Sequence, residues 1–466
     1  MAGQRVEVEF AGQRKRTHAN SAGQWRIELD RLNACSDPRT IRVRGEHDIE
    51  IKDVLVGEVW VAAGQSNMEW PLANDADAAT ELARAHRPSI RLLNLSYAGQ
   101  NVFAKPFDPD LRARLTPDRF FHGSWQHCDP RTARAFSAVA YYFGRDLNEA
   151  LKTPVGLIHL AVGGSPIEAW IRRGAMAESN ELRPLVEGNW LENEKLNAWC
   201  RQRARDNLAG ATAASQPNDD GSGPTHAFKP GFLWESGVAP LTALPIRGVI
   251  WYQGESNAQA KCEVPQHEAI FRLLVADWRK QWGIGDFPFL FCQLSSVGTE
   301  KGYKSHHWPA FRDSQRRLLA EIPNTGMAVT SDLGHPTDVH PRNKRDVGHR
   351  LALWALARTY GMKVPYSGPL VRSARRSGAS IVVSFDHVEG GLKTSDGKAI
   401  NGFEVAGADG VYHAATASVL ESEVSVSSLQ VPDAVAVRYA WQPFSTGNLV
   451  NEPGLPGSTF KLVLSK

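Results

Sequence analysis

The sequence predicts an α/β sheet core with a β-rich region on either side of it. Three observations lead there. Apolar and polar residues alternate over 1–55, short unbroken apolar runs alternate with helical periodicity over 56–362, and strand-like alternation returns over 363–466. Alternation with one wet face is an antiparallel signal, whereas unbroken apolar runs suit strands buried on both faces. At 466 residues the chain is too long for one ordinary core, so at least two packing units are expected.

Taken in order, the first region has three alternating runs, Val6 to Phe10, Trp25 to Leu29 and Ile41 to Arg44, separated by Gly and Asn/Asp turns. Met1 to Phe10 has no apolar h-region and is not a signal peptide. A strand this close to the first residue suggests that a leader or an earlier strand is absent. The middle region has apolar runs at Val56 to Ala63, Val155 to Val162, Gly248 to Tyr252, Phe287 to Leu294 and Met327 to Thr330. Helices are expected between them, one from Ile270, Leu274, Trp278 and Trp282, another from Val347, Leu351, Trp354 and Arg358. Strand–helix alternation implies a mostly parallel sheet covered on both faces. The small, polar segment 209–225 reads as a surface loop. The last region resumes at Ser380 to Phe385 and Val435 to Tyr439.

Composition excludes several classes. Hydrophobic residues are 42% and charged residues 22%, and the formal net charge is +3, which offers no basis for nucleic acid or an anionic membrane as partner. No apolar run reaches the length of a bilayer span. The five cysteines are scattered, with neither metal-ligand spacing nor a disulfide framework, and there is no His-Glu-x-x-His; no metal or other cofactor is expected. The 14 tryptophans include candidates for stacking on sugar rings, although most are expected in the core.

Four motifs sit at strand ends, where open α/β sheets build their sites. Gly64-Gln65-Ser66-Asn67-Met68 follows the first apolar run: a serine on a tight strand-to-helix turn exposes its hydroxyl, or else Ser66 or Asn67 caps a helix. Gly163-Gly164-Ser165-Pro166 follows the second: paired glycines present backbone N–H groups to a ligand oxygen, or form a plain turn. Ser165 is a rival nucleophile. Trp251 to Asn257 follows the third and offers Gln253 as a non-titrating donor, with Glu255 accepting hydrogen bonds to orient the loop. Asp338-Val339-His340-Pro341 supplies a base beside an orienting carboxylate, with Asp332 and His335 as rivals. The pair His306-His307 reads as surface.

The order Gly-x-Ser, glycine, amide, Asp and His resembles that of the SGNH hydrolases. The fuller strings Val59 to Met68, Pro154 to Ile158, Gly163 to Trp170, Gly248 to Asn257 and His340 to Lys344 resemble the sialate O-acetylesterase branch, a likeness that extends to Gly402 to Gly410. It implies a flavodoxin-like three-layer sandwich over 56–362, flanked by β-rich regions 1–55 and 363–466. It implies Ser66 as nucleophile, His340 as base, Asp338 as orienter, and an oxyanion hole from the Ser66 N–H, the Gly164 or Gly163 N–H and the Gln253 side chain. Gln65, Asn67, Gly163 and Glu255 would support the loops or bind substrate. The chain departs from the wider superfamily in Gly-Gln-Ser-Asn for Gly-Asp-Ser-Leu, in Gln253 for an Asn, and in Asp-x-His for Asp-x-x-His.

The implied activity is removal of acetyl groups from carbohydrates, with secretion or the periplasm as location. Acetylxylan or another acetylated polysaccharide is an alternative substrate for the same residues. A lipid or thioester hydrolase would want an apolar acyl channel, and a non-catalytic carbohydrate-binding protein would not need all four groups. A histidine base of ordinary pKa places the acid limb of activity near pH 6.5.

Overall fold

The computed structural model describes residues 2–210, 221–259, 264–299 and 304–464. Most of the 209–225 loop therefore lies outside the described residues, as does Cys262. Four antiparallel strands open the chain, β1 (Arg5–Phe10), β2 (Gln13–His18), β3 (Cys35–Arg44) and β4 (Ile49–Val56), in the order β2-β1-β3-β4. The alternation of β1 works as expected, with Val6, Val8 and Phe10 buried. The run Trp25 to Leu29 is not a strand. Trp25 is exposed, so the alternation there has no buried face to fix it. The segment is instead tethered along β2 where Gln13 Nε2 donates to the Asp30 carbonyl and the Asp30 N–H donates to Gln13 Oε1.

The central sheet has seven strands, β5 (Glu58–Gly64), β6 (Arg87–Asn94), β7 (Trp125–Cys128), β8 (Val155–Ala161), β9 (Gly248–Tyr252), β10 (Phe289–Cys292) and β11 (Thr325–Ala328). Their order is β11-β10-β9-β5-β8-β6-β7, parallel except for β7 on the edge. All five apolar runs supply strands. The sequence reading missed β6 and β7 because Arg87 and Arg91 interrupt one, and the residues of the other are mostly exposed.

Successive residues of β5 feed opposite layers. Val61 and Ala63 join one buried cluster, Trp60 and Ala62 the other. Both faces are dry, which is why the strand reads as apolar throughout. The helices that cover the faces include α1 (Ser66–Glu69), α2 (Ala138–Leu151), α3 (Ala198–Leu208), α4 (Glu255–Ala258), α5 (Val264–Trp282), α6 (Trp308–Glu321) and α7 (Arg345–Trp354). Ile270, Leu274, Trp278 and Trp282 all point inward from α5. β5 lies between β8 and β9, where the connections turn from one side of the sheet to the other. In an open α/β sheet the crevice for a ligand forms there, beyond the carboxyl ends.

After residue 369 the chain forms two four-stranded antiparallel sheets, among other short pairings, and both contribute to one apolar cluster that includes Val383, Phe385, Val405, Val424, Val437 and Phe460. Arg312 of α6 joins this part to the central layers. Fully buried, it donates to the carbonyls of Ala440, Gln442 and Pro443 at 2.9, 2.6 and 3.2 Å. Arg312→Met should lower stability to urea by about 2–4 kcal/mol, because buried carbonyls lose their donor. A loss under about 0.5 kcal/mol would show that water replaces the guanidinium.

Candidate active site

Gly64 ends β5 in a conformation open mainly to glycine, φ +138°, and a methyl there would sit 2.1 Å from the Tyr252 carbonyl oxygen. That approach lets the Gln65 N–H donate to the same carbonyl at 2.9 Å, and the chain then turns into α1. Gln65 Oε1 accepts from the N–H groups of Gly254 and Ser256, so this side chain ties the Ser66 turn to α4. Neither Ser66 nor Asn67 caps a helix, since the cap position of α1 falls on Gln65 and has no side-chain bond. The Ser66 hydroxyl is free for another partner.

That partner is His340. Its Nε2 lies 2.8 Å from Ser66 Oγ. Accepting there puts the ring proton on Nδ1, which faces Asp338 Oδ1 at 3.6 Å, and the same oxygen accepts from the His340 backbone N–H at 2.9 Å. Asp338 thus holds the His340 loop more closely than the ring. Trp70 stacks on the imidazole at 5.4 Å between centroids and 22° between planes. Burial, then the nearby Lys344 charge, pushes the His340 pKa down to about 4, with Asp338 pulling the other way. The rivals are engaged elsewhere. Asp332 makes a two-point ion pair with Arg350, His335 Nδ1 accepts from the Thr337 N–H, and buried Ser165 accepts from the Trp170 indole N–H at 3.0 Å.

Asn67 carries the scaffold under this pair. Its Nδ2 donates to Glu255 Oε1 and, at 3.0 Å, to the Val339 carbonyl, and its Oδ1 accepts from Lys344 Nζ. Lys344 is buried, and burial lowers its pKa to about 7 against the pull of Glu255. The Glu255 carboxyl is pushed up by its own burial, opposed by Asn67 and by the Lys344 charge. Glu255 orients the Asn67 side chain, and its carboxyl also accepts from the backbone N–H groups of Glu255 and Gly254.

The proposed oxyanion donors separate. The Ser66 and Gly164 N–H groups meet no acceptor among the described residues. The Gly163 N–H instead donates to Tyr97 Oη at 3.3 Å. The Gln253 side chain donates elsewhere than toward Ser66. Its Nε2 donates to the Ser165 carbonyl at 3.2 Å and to Asn257 Oδ1 at 2.7 Å, so both hydrogens are spent. Asn257 in turn donates to the buried Glu168 carboxyl. Trp199 of α3, half-exposed, packs beside Gly164, where a methyl would lie 2.8 Å from its ring.

Sequence reading passed over Glu69, Trp70, Tyr97, Gln100, Asn257, Glu168 and Lys344. Asn257, Glu168 and Lys344 stood inside motif strings already singled out; Glu69 and Trp70 directly follow one. Tyr97 and Gln100 carried no local signal. Among the described residues no group of His, Cys, Asp and Glu could hold a metal ion, and no helix is long and apolar enough to cross a membrane.

The family model of carbohydrate esterases described as sialic acid-specific acetylesterase matches residues 56–183 and 234–357. The sialate O-acetylesterases of Rattus norvegicus and Homo sapiens are 30% identical to this chain over 354 and 341 residues, 69% of it in each case. The chain spans only 60% and 57% of those relatives' lengths. A solved structure of a carbohydrate acetylesterase from Xanthomonas citri is 34% identical, with TM-score 0.79, covering 99% of this chain and 93% of that one.

A fluorophosphonate probe should label Ser66, and peptide mass spectrometry should find no label on Ser165. His340→Ala should slow labelling about a hundredfold or more, because the hydroxyl loses its base. Label on Ser165 would overturn this reading of the geometry.

Proposed function

The chain belongs to the sialic acid-specific acetylesterase family of carbohydrate esterases, and we propose that it is a serine esterase that removes O-acetyl groups from carbohydrate hydroxyls. The observation that carries this reading is the 2.8 Å approach of His340 Nε2 to Ser66 Oγ at the carboxyl end of the central strand. The fold is read as the SGNH type, with catalysis assigned to 56–362 and the β-rich regions 1–55 and 363–466 flanking it. The sialate O-acetylesterase relatives favour an acetylated sialic acid, and an acetylated polysaccharide such as xylan is the second substrate class. The same resemblance carries the reading that the enzyme works in the periplasm or outside the cell.

In the first half-reaction, neutral His340 Nε2 takes the Ser66 proton as Oγ attacks the acetyl carbonyl carbon. The Ser66 and Gly164 N–H groups, both unspent, stabilise the oxygen as it gains charge. Gln253 becomes a third donor only by releasing Ser165 or Asn257. The tetrahedral intermediate collapses, His340 hands its proton to the departing sugar oxygen, and the acetyl group stays on Oγ. In the second, His340 takes a proton from water, hydroxide adds to the acetyl carbon, and acetate leaves as Oγ regains its proton. Asp338 favours the charged imidazole of both steps.

Ser66→Ala should abolish acetate release from p-nitrophenyl acetate, acetylated sialic acid and acetylated xylan, a fall of at least about 10³-fold in kcat. Equal release from variant and wild type would sink the assignment, and no release by wild type would favour a carbohydrate-binding protein.

The working base is neutral, so activity is lost as pH falls through the His340 pKa. That value is about 4, so the acid limb of kcat/KM should lie near pH 4, not at the 6.5 of an ordinary histidine. A limb at 6.5 would mean that His340 is far better solvated in the working enzyme.

A further inference from the structure

Glu69 ends the short helix that begins at Ser66, and the mechanism above makes no use of it. Its carboxyl accepts from Tyr97 Oη at 3.1 and 3.2 Å and from Gln100 Nε2 at 3.0 Å. Among the described residues no cation lies within ion-pair distance of it, unlike Asp332 or Asp277, which face arginines. A methyl group on Gly163 would sit 2.9 Å from Glu69 Oε2, 3.7 Å from Tyr97 Oη and 3.8 Å from Ser66 Cβ. Carboxyl, phenol and the Ser66 side chain thus surround one point beside Gly163.

A negative charge beside a forming oxyanion opposes the reaction, and a half-buried carboxyl without a cation is costly to keep. A purely structural link between Tyr97 and Gln100 could be made by a neutral side chain. A carboxylate accepts about four hydrogen bonds, and three donors are present, Tyr97, Gln100 and the Gly163 N–H. One acceptor position remains open to a donor on what binds at Ser66. Sugars bring hydroxyls on the carbons neighbouring an ester, and a site built to accept from a substrate hydroxyl rejects analogues that lack it.

Resting on the esterase reading above, we infer that Glu69 is a specificity-determining residue whose carboxylate accepts a hydrogen bond from a free hydroxyl of the sugar that bears the acetyl ester. Tyr97 and Gln100 hold the carboxylate in place, and the hydroxyl completes its shell as the ester reaches Ser66. An acetate ester of an alcohol without hydroxyls leaves the carboxylate short of a partner and is the poorer substrate.

The test compares a mono-O-acetylated methyl glycoside with cyclohexyl acetate, a ring of similar size with no hydroxyl. The ratio of their kcat/KM values is measured for wild type, Glu69→Gln and Gln100→Ala. Glu69→Gln should lower the ratio about tenfold to a hundredfold, the range expected when a hydrogen bond to a charged group becomes a neutral one or is lost. Gln100→Ala should lower it in the same direction by less, and it keeps the idea testable if Glu69→Gln fails to fold. An equal loss on both esters, as a merely structural role would give, or an unchanged ratio would overturn the assignment. Full activity in Ser66→Ala would overturn the esterase reading and this inference with it, and is told apart because it appears in the Ser66 variant.

Discussion

The Asn67 carboxamide joins segments that lie 188 to 277 residues from it in the chain. One donor goes to Glu255 at the start of α4, another to the Val339 carbonyl of the histidine loop, and the acceptor takes Lys344 beside α7. Asn67 also follows Ser66 directly, so Ser66 is fixed to everything the carboxamide touches. The 2.8 Å meeting of Ser66 and His340 depends on this, because neither residue is rigid alone. Ser66 sits on a single turn of helix and His340 in a loop with no regular structure. A misplacement of 1 Å between such groups can cost about a hundredfold in rate, so precision is supplied by the buried polar network beneath them.

That network has electrostatic consequences. Asn67, Glu255 and Lys344 are all buried, so the charge of Lys344 is little screened and reaches His340. Together with desolvation of the ring it favours the neutral imidazole, the form that can accept a proton from serine. Asp338 works the other way and steadies the imidazolium when it forms. The imidazole is thus poised by opposing neighbours, and its staying neutral over a wide pH range comes at some cost in basicity.

Much of this was legible along the chain. The five apolar runs became strands because a strand dry on both faces must be apolar at every position. Ser66 could be picked out because its motif ends such a strand, and Asp338 and His340 because theirs lies between the last such strand and a helix. Trp25 to Leu29 misled because alternation signals a strand only when something covers one face. Glu69, Tyr97 and Lys344 escaped notice because a carboxylate, a phenol or a lysine looks solvated until folding shows it half-buried, as the first two are, or buried, as Lys344 is. Gln253 looked like an oxyanion donor, and only its two acceptors, Ser165 and Asn257, reveal that its hydrogens are spent.

Residue order alone therefore dictated the layer plan and the strand ends where the candidate site residues Ser66 and His340 lie. Those features follow from local rules: hydrophobic period, the glycine needed where Gly64 meets the Tyr252 carbonyl, and residue types suited to proton transfer. Three-dimensional packing settled which backbone N–H groups stay unspent, which carboxylate accompanies His340, and which polar groups lose their water. These are matters of distance and burial between segments hundreds of residues apart, and no period or spacing in a single chain encodes them.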